Sequence, residues 1–330
     1  MTAFYSLILV LAVTGFAYVG GMADGSRAWL GIVFPYAAIL VFLAGIVYRV
    51  MVWASSPVPY CIPTTCAQQK SLPWLKSSWI ESPHTRTGVI VRVALETLLF
   101  RSLFRNSRAE LCEGPRLLYA ENKFLWLEAL AFHWSLLVIL LRHLRFFLQP
   151  VPQFILGLAG VDGFFQIGAP GLLVSDVVIL AALLFLLQRR LTNTQVRTIS
   201  LFTDYFALFL LLGIAGSGVL MRYFTRVDLE RVKELAIGLV TFSPVVPANV
   251  GPMVFVHLTL VSLLLMYFPF SKLLHMAGIF LSPTRNLAND SRARRHVNPW
   301  DYPVKVHTYQ EWEDEFHDKI KAAGLPLERE

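Results

Sequence analysis

The chain has 330 residues, of which 55% are hydrophobic and only 15% charged. That balance excludes an ordinary soluble globular enzyme and calls for several apolar runs of bilayer length. The net charge of +7 lies in loops beside those runs, which fits lipid headgroups and membrane topology and argues against a nucleic-acid partner.

The first run, residues 4–19, ends at Gly20–Gly21 and Asp24–Gly25. It has neither a basic start nor an A-x-A-like cleavage pattern, so it reads as a retained span and not a removed signal. A second run, 29–53, completes a helical hairpin with Arg49 near its end, placed to snorkel to the interface. Residues 54–122 are rich in Pro, Ser and Arg and carry eight Lys or Arg, with Lys123 just beyond, which marks a cytoplasmic loop. Its apolar middle, 88–104, is interrupted by Arg92, Glu96 and Arg101. That pattern suits an interfacial helix on the lipid surface; the sharper alternative is a docking surface for a cytoplasmic redox partner. Cys61, Cys66 and Cys112 all fall in this loop, are too few and too widely spaced for a four-thiolate cluster, and read as reduced thiols.

The third run, 124–148, carries His133 and His143, about 15 Å apart along a helix and offset by about 80° in azimuth. An outer loop, 149–170, contains Asp162 and Gln166, and the next span, 171–188, has Asp176 one turn inside its start. A carboxylate there can accept a proton from a quinol, or can simply be stabilised by the helix dipole. Arg189, Arg190 and Arg197 mark a short cytoplasmic turn before the span 199–221, whose Gly213, Gly216 and Gly218 permit close helix packing or room for a flat macrocycle. After a mixed-charge loop, 222–250, comes the last run, 251–281, with His257 and His275. Eighteen residues of unbroken helix put those imidazoles on one face, about 27 Å apart, although Pro269 should kink it. The tail from 283 onward is polar and ends in a short helix, 310–323; its His296, His307 and His317 receive no ligand role.

Six spans place both termini in the cytoplasm of a bacterial or archaeal cytoplasmic membrane. If the two histidine-bearing helices run antiparallel, His133 meets His275 at the cytoplasmic side and His143 meets His257 at the outer side. A lone intramembrane histidine is most often hydrogen-bonding glue or a proton relay, but four in depth-matched pairs suggest axial ligands of two haems b. No C-x-x-C-H motif for covalent haem occurs. Quinone-site candidates at the outer side are Asp176, Asp162, Gln166 and Arg142. Arg142, Arg145 and Lys272 are also placed to meet haem propionates, as are flanking basic residues generally.

The spacings H-x9-H and H-x17-H, with FPFSKLLHM at 268–276, resemble the cytochrome b subunit of respiratory nitrate reductase and its relatives. Within that superfamily the extra amino-terminal helices, RVALETLLFRSLFRN at 92–106 and NPWDYPVKVHTYQEWE at 298–313 are most similar to the DsrM family of membrane haem b subunits. The resemblance implies an all-α membrane fold: an amino-terminal hairpin (1–53), a basic cytoplasmic loop (54–122), a four-helix di-haem bundle (123–282) and a cytoplasmic tail (283–330). It implies electron transfer between the quinone pool and a cytoplasmic DsrK-like iron–sulfur subunit within a quinone-dependent oxidoreductase of dissimilatory sulfur metabolism. A periplasmic DsrJ-like multihaem cytochrome c and other Dsr membrane subunits are its implied neighbours. Its haem ligands carry over onto His133, His143, His257 and His275. Two other readings stay open: a proton-coupled transporter using His and Asp as a relay, and a membrane anchor without a redox role.

Overall fold

The computed structural model describes residues 1–56, 68–104, 108–114, 116–120, 122–163, 171–281, 286–290 and 306–328. Cys61, Cys66, Gln166 and His296 lie outside them. Five helical stretches are long and apolar enough to cross a membrane: Thr2–Met22, Asp24–Ala54, Lys123–Phe146, Phe202–Thr225 and Pro252–Phe270. Their outward faces carry exposed large apolar side chains such as Leu40, Leu43 and Val47 or Leu137 and Leu140, the surface a bilayer covers. The protein is a multi-pass membrane protein.

We label the helices α1 (Thr2–Met22), α2 (Asp24–Ala54, with a π turn at Trp29–Val33) and α3 (Arg86–Leu99). Then come α4 (Lys123–His143), α5 (Gln153–Asp162), α6 (Val174–Thr192), α7 (Phe202–Val219), α8 (Leu229–Val240), α9 (Pro252–Tyr267), α10 (His275–Leu281) and α11 (Tyr309–Ala322). The sixth expected span, α6, differs from the other five in carrying Asp176, Arg189 and Arg190 at its ends. Its 19 residues still cover about 28 Å, close to the thickness of a bilayer core.

The structure corrects three local expectations. The outer loop 149–170 contains the apolar helix α5. The basic loop contains a small antiparallel hairpin, β1 (Arg108–Cys112) with β2 (Arg116–Ala120), paired Arg108 to Ala120 and Cys112 to Arg116. Its turn uses Gly114 at φ +80°, a conformation that glycine alone adopts without strain. The last span is not one helix: α9 stops at Tyr267, two 3-10 turns follow at Phe268–Phe270 and Lys272–Leu274, and α10 restarts at His275. Pro269 lacks the N–H that would continue α9, and Ser271 between the turns is extended (φ −115°, ψ 173°). The axial arithmetic for an unbroken helix therefore does not hold between His257 and His275.

Packing runs in sequence from α4 to α6, α6 to α7 and α7 to α9, with α1 laid against α7 and α9 and α2 against α9. Val10, Ala17, Phe206, Leu210, Val256 and Leu260 form the core of the α1–α7–α9 junction. Close approach needs glycine at two places: a Cβ on Gly21 would lie 3.0 Å from the Pro252 Cα, and one on Gly45 would lie 2.7 Å from the Pro269 Cβ. The ring of helices is not closed by α4 and α9, which do not pack closely against each other. Across the slot between them, α4 carries His133 and His143, α9 carries His257 and the following α10 carries His275.

Candidate functional site

Two pairs of imidazoles span the slot. His143 of α4 and His257 of α9 have ring centres 6.3 Å apart with planes 13° from parallel. His133 of α4 and His275, the first residue of α10, have ring centres 5.9 Å apart at 82°. These are the pairings expected from sequence. Two metal–imidazole bonds of about 2.0–2.1 Å, with about 1.1 Å from nitrogen to ring centre on each side, set ring centres about 6.2 Å apart across one metal ion.

Hydrogen bonding fixes the tautomers. His133 Nδ1 lies 2.7 Å from the Ala129 carbonyl, His143 Nδ1 2.7 Å from the Ile139 carbonyl, and His275 Nδ1 2.9 Å from the Lys272 carbonyl. A carbonyl oxygen only accepts, so each Nδ1 carries the proton and each Nε2 presents its lone pair. His257 reaches the same state through Ser217: the Ser217 hydroxyl donates to the Ile214 carbonyl at 2.9 Å and accepts from His257 Nδ1 at 2.9 Å. Among the described residues no hydrogen bond engages any of the four Nε2 atoms. In a bilayer, lone pairs facing hydrocarbon without donors would be costly, and a metal on Nε2 with an acceptor on Nδ1 would relieve that cost.

Among the described residues no three His, Cys, Asp or Glu converge as a metal cage. A haem iron asks the protein for only two axial ligands, because the porphyrin supplies the rest. Paired imidazoles at metal-bridging distance, across a slot between helices that do not pack closely, fit that group. Gly218 flanks His257, where a Cβ would come within 3.6 Å of Cε1, so this member of the glycine patch lies beside the histidine. At the other pair, the ring centres of Phe100 and Phe132 lie 4.8 and 5.0 Å from that of His133, each in an edge-on arrangement.

A polar cluster adjoins the His143 end. Arg142, one residue before His143, is buried and donates to the Asp162 carboxylate and, at 2.9 Å, to Ser175 Oγ. Its other terminal nitrogen lies 3.5 Å from Asp176. Asp162 also accepts from the Ser175 backbone N–H at 2.8 Å and from its hydroxyl at 2.7 Å. Burial alone pushes the Asp162 carboxyl up, but the bonds from Ser175 and Arg142 outweigh it and hold it below the usual carboxylate range. Asp176 accepts from the Tyr223 hydroxyl at 2.9 Å, and that hydroxyl accepts from the Leu173 N–H at 2.9 Å.

Three of the four quinone-site candidates, Arg142, Asp162 and Asp176, are thus one hydrogen-bonded group. Ser175, Tyr223 and Ser217 escaped the sequence reading; Ser175 stands next to Asp176, while the other two come from a register between helices. Two suggested propionate partners are engaged within the protein: Arg142 as above, and Lys272 with Asp204 at 2.9 Å.

The sequence profile described as nitrate reductase gamma subunit matches residues 93–291. A Hdr-like menaquinol oxidoreductase cytochrome b-like subunit from Archaeoglobus fulgidus is 47% identical over 278 residues, covering 82% of this chain and 83% of that protein. The corresponding subunit from Archaeoglobus profundus is 44% identical over 274 residues, covering 81% of each. With more than half its length matched by the profile and both relatives aligned along four fifths of it, this chain belongs to the nitrate reductase gamma subunit family of membrane cytochromes b.

Proposed function

We propose that this chain is the electron-carrying cytochrome b subunit of a menaquinol oxidoreductase. It would bind two haems b, one through His133 and His275 and one through His143 and His257. The observation that carries the reading is the shared tautomer: all four histidines protonate Nδ1 and present Nε2, in two pairs spaced for a bridging metal. Haem iron supplies one-electron redox chemistry when bound. The chain supplies axial donors, their orientation and a dry setting.

Quinol oxidation releases two electrons and two protons. Asp176 is the proton acceptor we assign, at the His143 end, with the Tyr223 hydroxyl and Arg142 orienting its two oxygens. Asp162 is a positioning residue, because its own oxygens are taken by Ser175 and Arg142. Each proton leaves by the same carboxylate in turn, while each electron crosses the chain toward the His133 end. The positive charge of the basic loop supports a cytoplasmic position for that end. There the acceptor is a DsrK-like iron–sulfur subunit, in keeping with the Hdr-like relatives. A DsrJ-like multihaem cytochrome c outside, and a place in dissimilatory sulfur metabolism, follow from the DsrM resemblance.

Reduced-minus-oxidised spectra of the purified chain should give two haems b per polypeptide. His143→Ala and His257→Ala should each remove the same haem, and His133→Ala and His275→Ala the other. Loss of different haems from His143→Ala and His257→Ala would end the pairing. Asp176→Asn should keep both haems yet slow their reduction by a menaquinol analogue about 10²-fold or more. An unchanged rate would remove Asp176 from the proton path.

A further inference from the structure

Beyond its first residue, the helix α3 buries its charges, Arg92 and Glu96, and exposes several of its apolar residues. Gly88, Arg92 and Glu96, spaced four apart and so on one face, are its buried positions, while Ile90, Leu98 and Leu99 are about half exposed or more. Such an inverted pattern suits a helix whose apolar face meets lipid and whose polar stripe meets the protein interior. Its carboxyl end is anchored on α4: Trp134 Nε1 donates to the Leu98 carbonyl at 3.1 Å and Trp126 Nε1 to the Leu99 carbonyl at 2.7 Å. Phe100, in the left-handed region at φ 50°, then turns its ring onto His133.

Within the stripe, Glu96 is satisfied. Ser102 donates to its two oxygens, from the backbone N–H at 3.0 Å and from the hydroxyl at 2.5 Å. Arg92 is not satisfied: only 6% exposed, it has no ion pair among the described residues, and its Nη1 is buried without an acceptor. A buried guanidinium left so is costly by several kcal/mol and calls for an anion. The cleft it lines is completed by Val93, Glu96 and Ile279. Ile279 lies one turn beyond His275, on the same face of α10. The segment α3 to Phe100 therefore touches one inner histidine through Phe100 and shares a cleft with the short helix that begins at the other.

We propose that Arg92 holds a propionate of the haem carried by His133 and His275, so that α3 is a wall of that haem site and not a helix lying free on the lipid surface. The inference rests on the di-haem reading above. A fixed cation beside the haem edge favours the reduced, more electron-rich state. Arg92→Gln should lower the reduction equilibrium constant of this haem about tenfold, 59 mV for one electron, and leave the His143–His257 haem unmoved. Arg92→Lys, which keeps the charge, should restore most of the potential.

The test is a spectroscopic redox titration of the purified full chain and both variants, with haem and phospholipid phosphorus measured on the same samples. If the inner haem keeps its potential in Arg92→Gln, the assignment is overturned. Unchanged potential with loss of bound phosphorus gives Arg92 to a lipid phosphate instead, which also overturns it. Should Arg92→Gln fail to assemble, an Arg92→Lys protein with wild-type haem content but a shift equal at both haems would likewise refute a local contact. A wild-type chain without haem would defeat the di-haem reading itself, a result distinct from any of these.

Discussion

Replacing Ser217 by alanine removes one oxygen and little else. The Ile214 carbonyl keeps its helical donor within α7, whereas His257 Nδ1 loses the hydroxyl acceptor now 2.9 Å away and retains only the Ile214 carbonyl nearby. Complete loss of a partner by a buried N–H costs about 1–3 kcal/mol, which is the upper bound for this change. Loss of an outer hydrogen bond to a metal-ligating histidine weakens metal affinity by about 10–100-fold, about 1.4–2.7 kcal/mol, so two independent routes give the same size. A less strongly donating imidazole also stabilises the oxidised iron less, and the potential of that haem should rise. Pyridine haemochrome content and a redox titration of purified Ser217→Ala should show partial loss and an upward shift at the His143–His257 haem alone. Ser217→Thr, which retains a hydroxyl, should stay near wild type. Wild-type occupancy and potential in Ser217→Ala, or damage at the His133–His275 haem, would refute the argument that Ser217 sets the His257 tautomer.

Gly45→Ala forces a Cβ to within 2.7 Å of the Pro269 Cβ, and overpacking of that kind costs about 1–3 kcal/mol. Thermal loss of the inner haem should precede that of the outer one in this variant, monitored by the two sets of b-type bands; simultaneous loss would show that Pro269 does not position His275. Asp162→Asn leaves the buried Arg142 with Asp176 as its remaining carboxylate and should cost about 3 kcal/mol of stability at neutral pH. Because the folded Asp162 value lies below the usual one, its contribution is complete above about pH 3.9 and disappears as pH falls through the lower folded value. The melting difference between wild type and Asp162→Asn should therefore be flat from about pH 5 to 8 and shrink only below about pH 4. A difference that vanishes near pH 6 would contradict the depressed carboxyl.

The paired histidines were legible because each stands in a long apolar run, where a polar ring is conspicuous and helical spacing fixes its height. Arg142, Asp162 and Asp176 were legible for a similar reason, as charges at the edges of such runs. The partnership of Ser217 with His257 was not, since it depends on the register of α7 against α9, and a serine among glycines looks like packing. Pro269 signalled a bend, but Ser271 in extended backbone between two 3-10 turns depends on α2 closing on Pro269 at Gly45, a contact between distant segments. The stripe of Arg92 and Glu96 was visible as interruptions in an apolar stretch. Its inward direction was not, because lipid outside and a polar site inside reverse the usual meaning of amphipathic pattern.

The interruption between Tyr267 and His275 has a mechanical corollary. On the di-haem reading, one axial donor, His257, would belong to a rod wedged among α1, α2 and α7, and another, His275, to a seven-residue stub hinged on Pro269. A push on the stub from whatever docks below would reach one iron and not its neighbour. Redox centres held in that way could each be retuned by selection on their own, with the hinge acting as a compliant joint between two otherwise independent mounts.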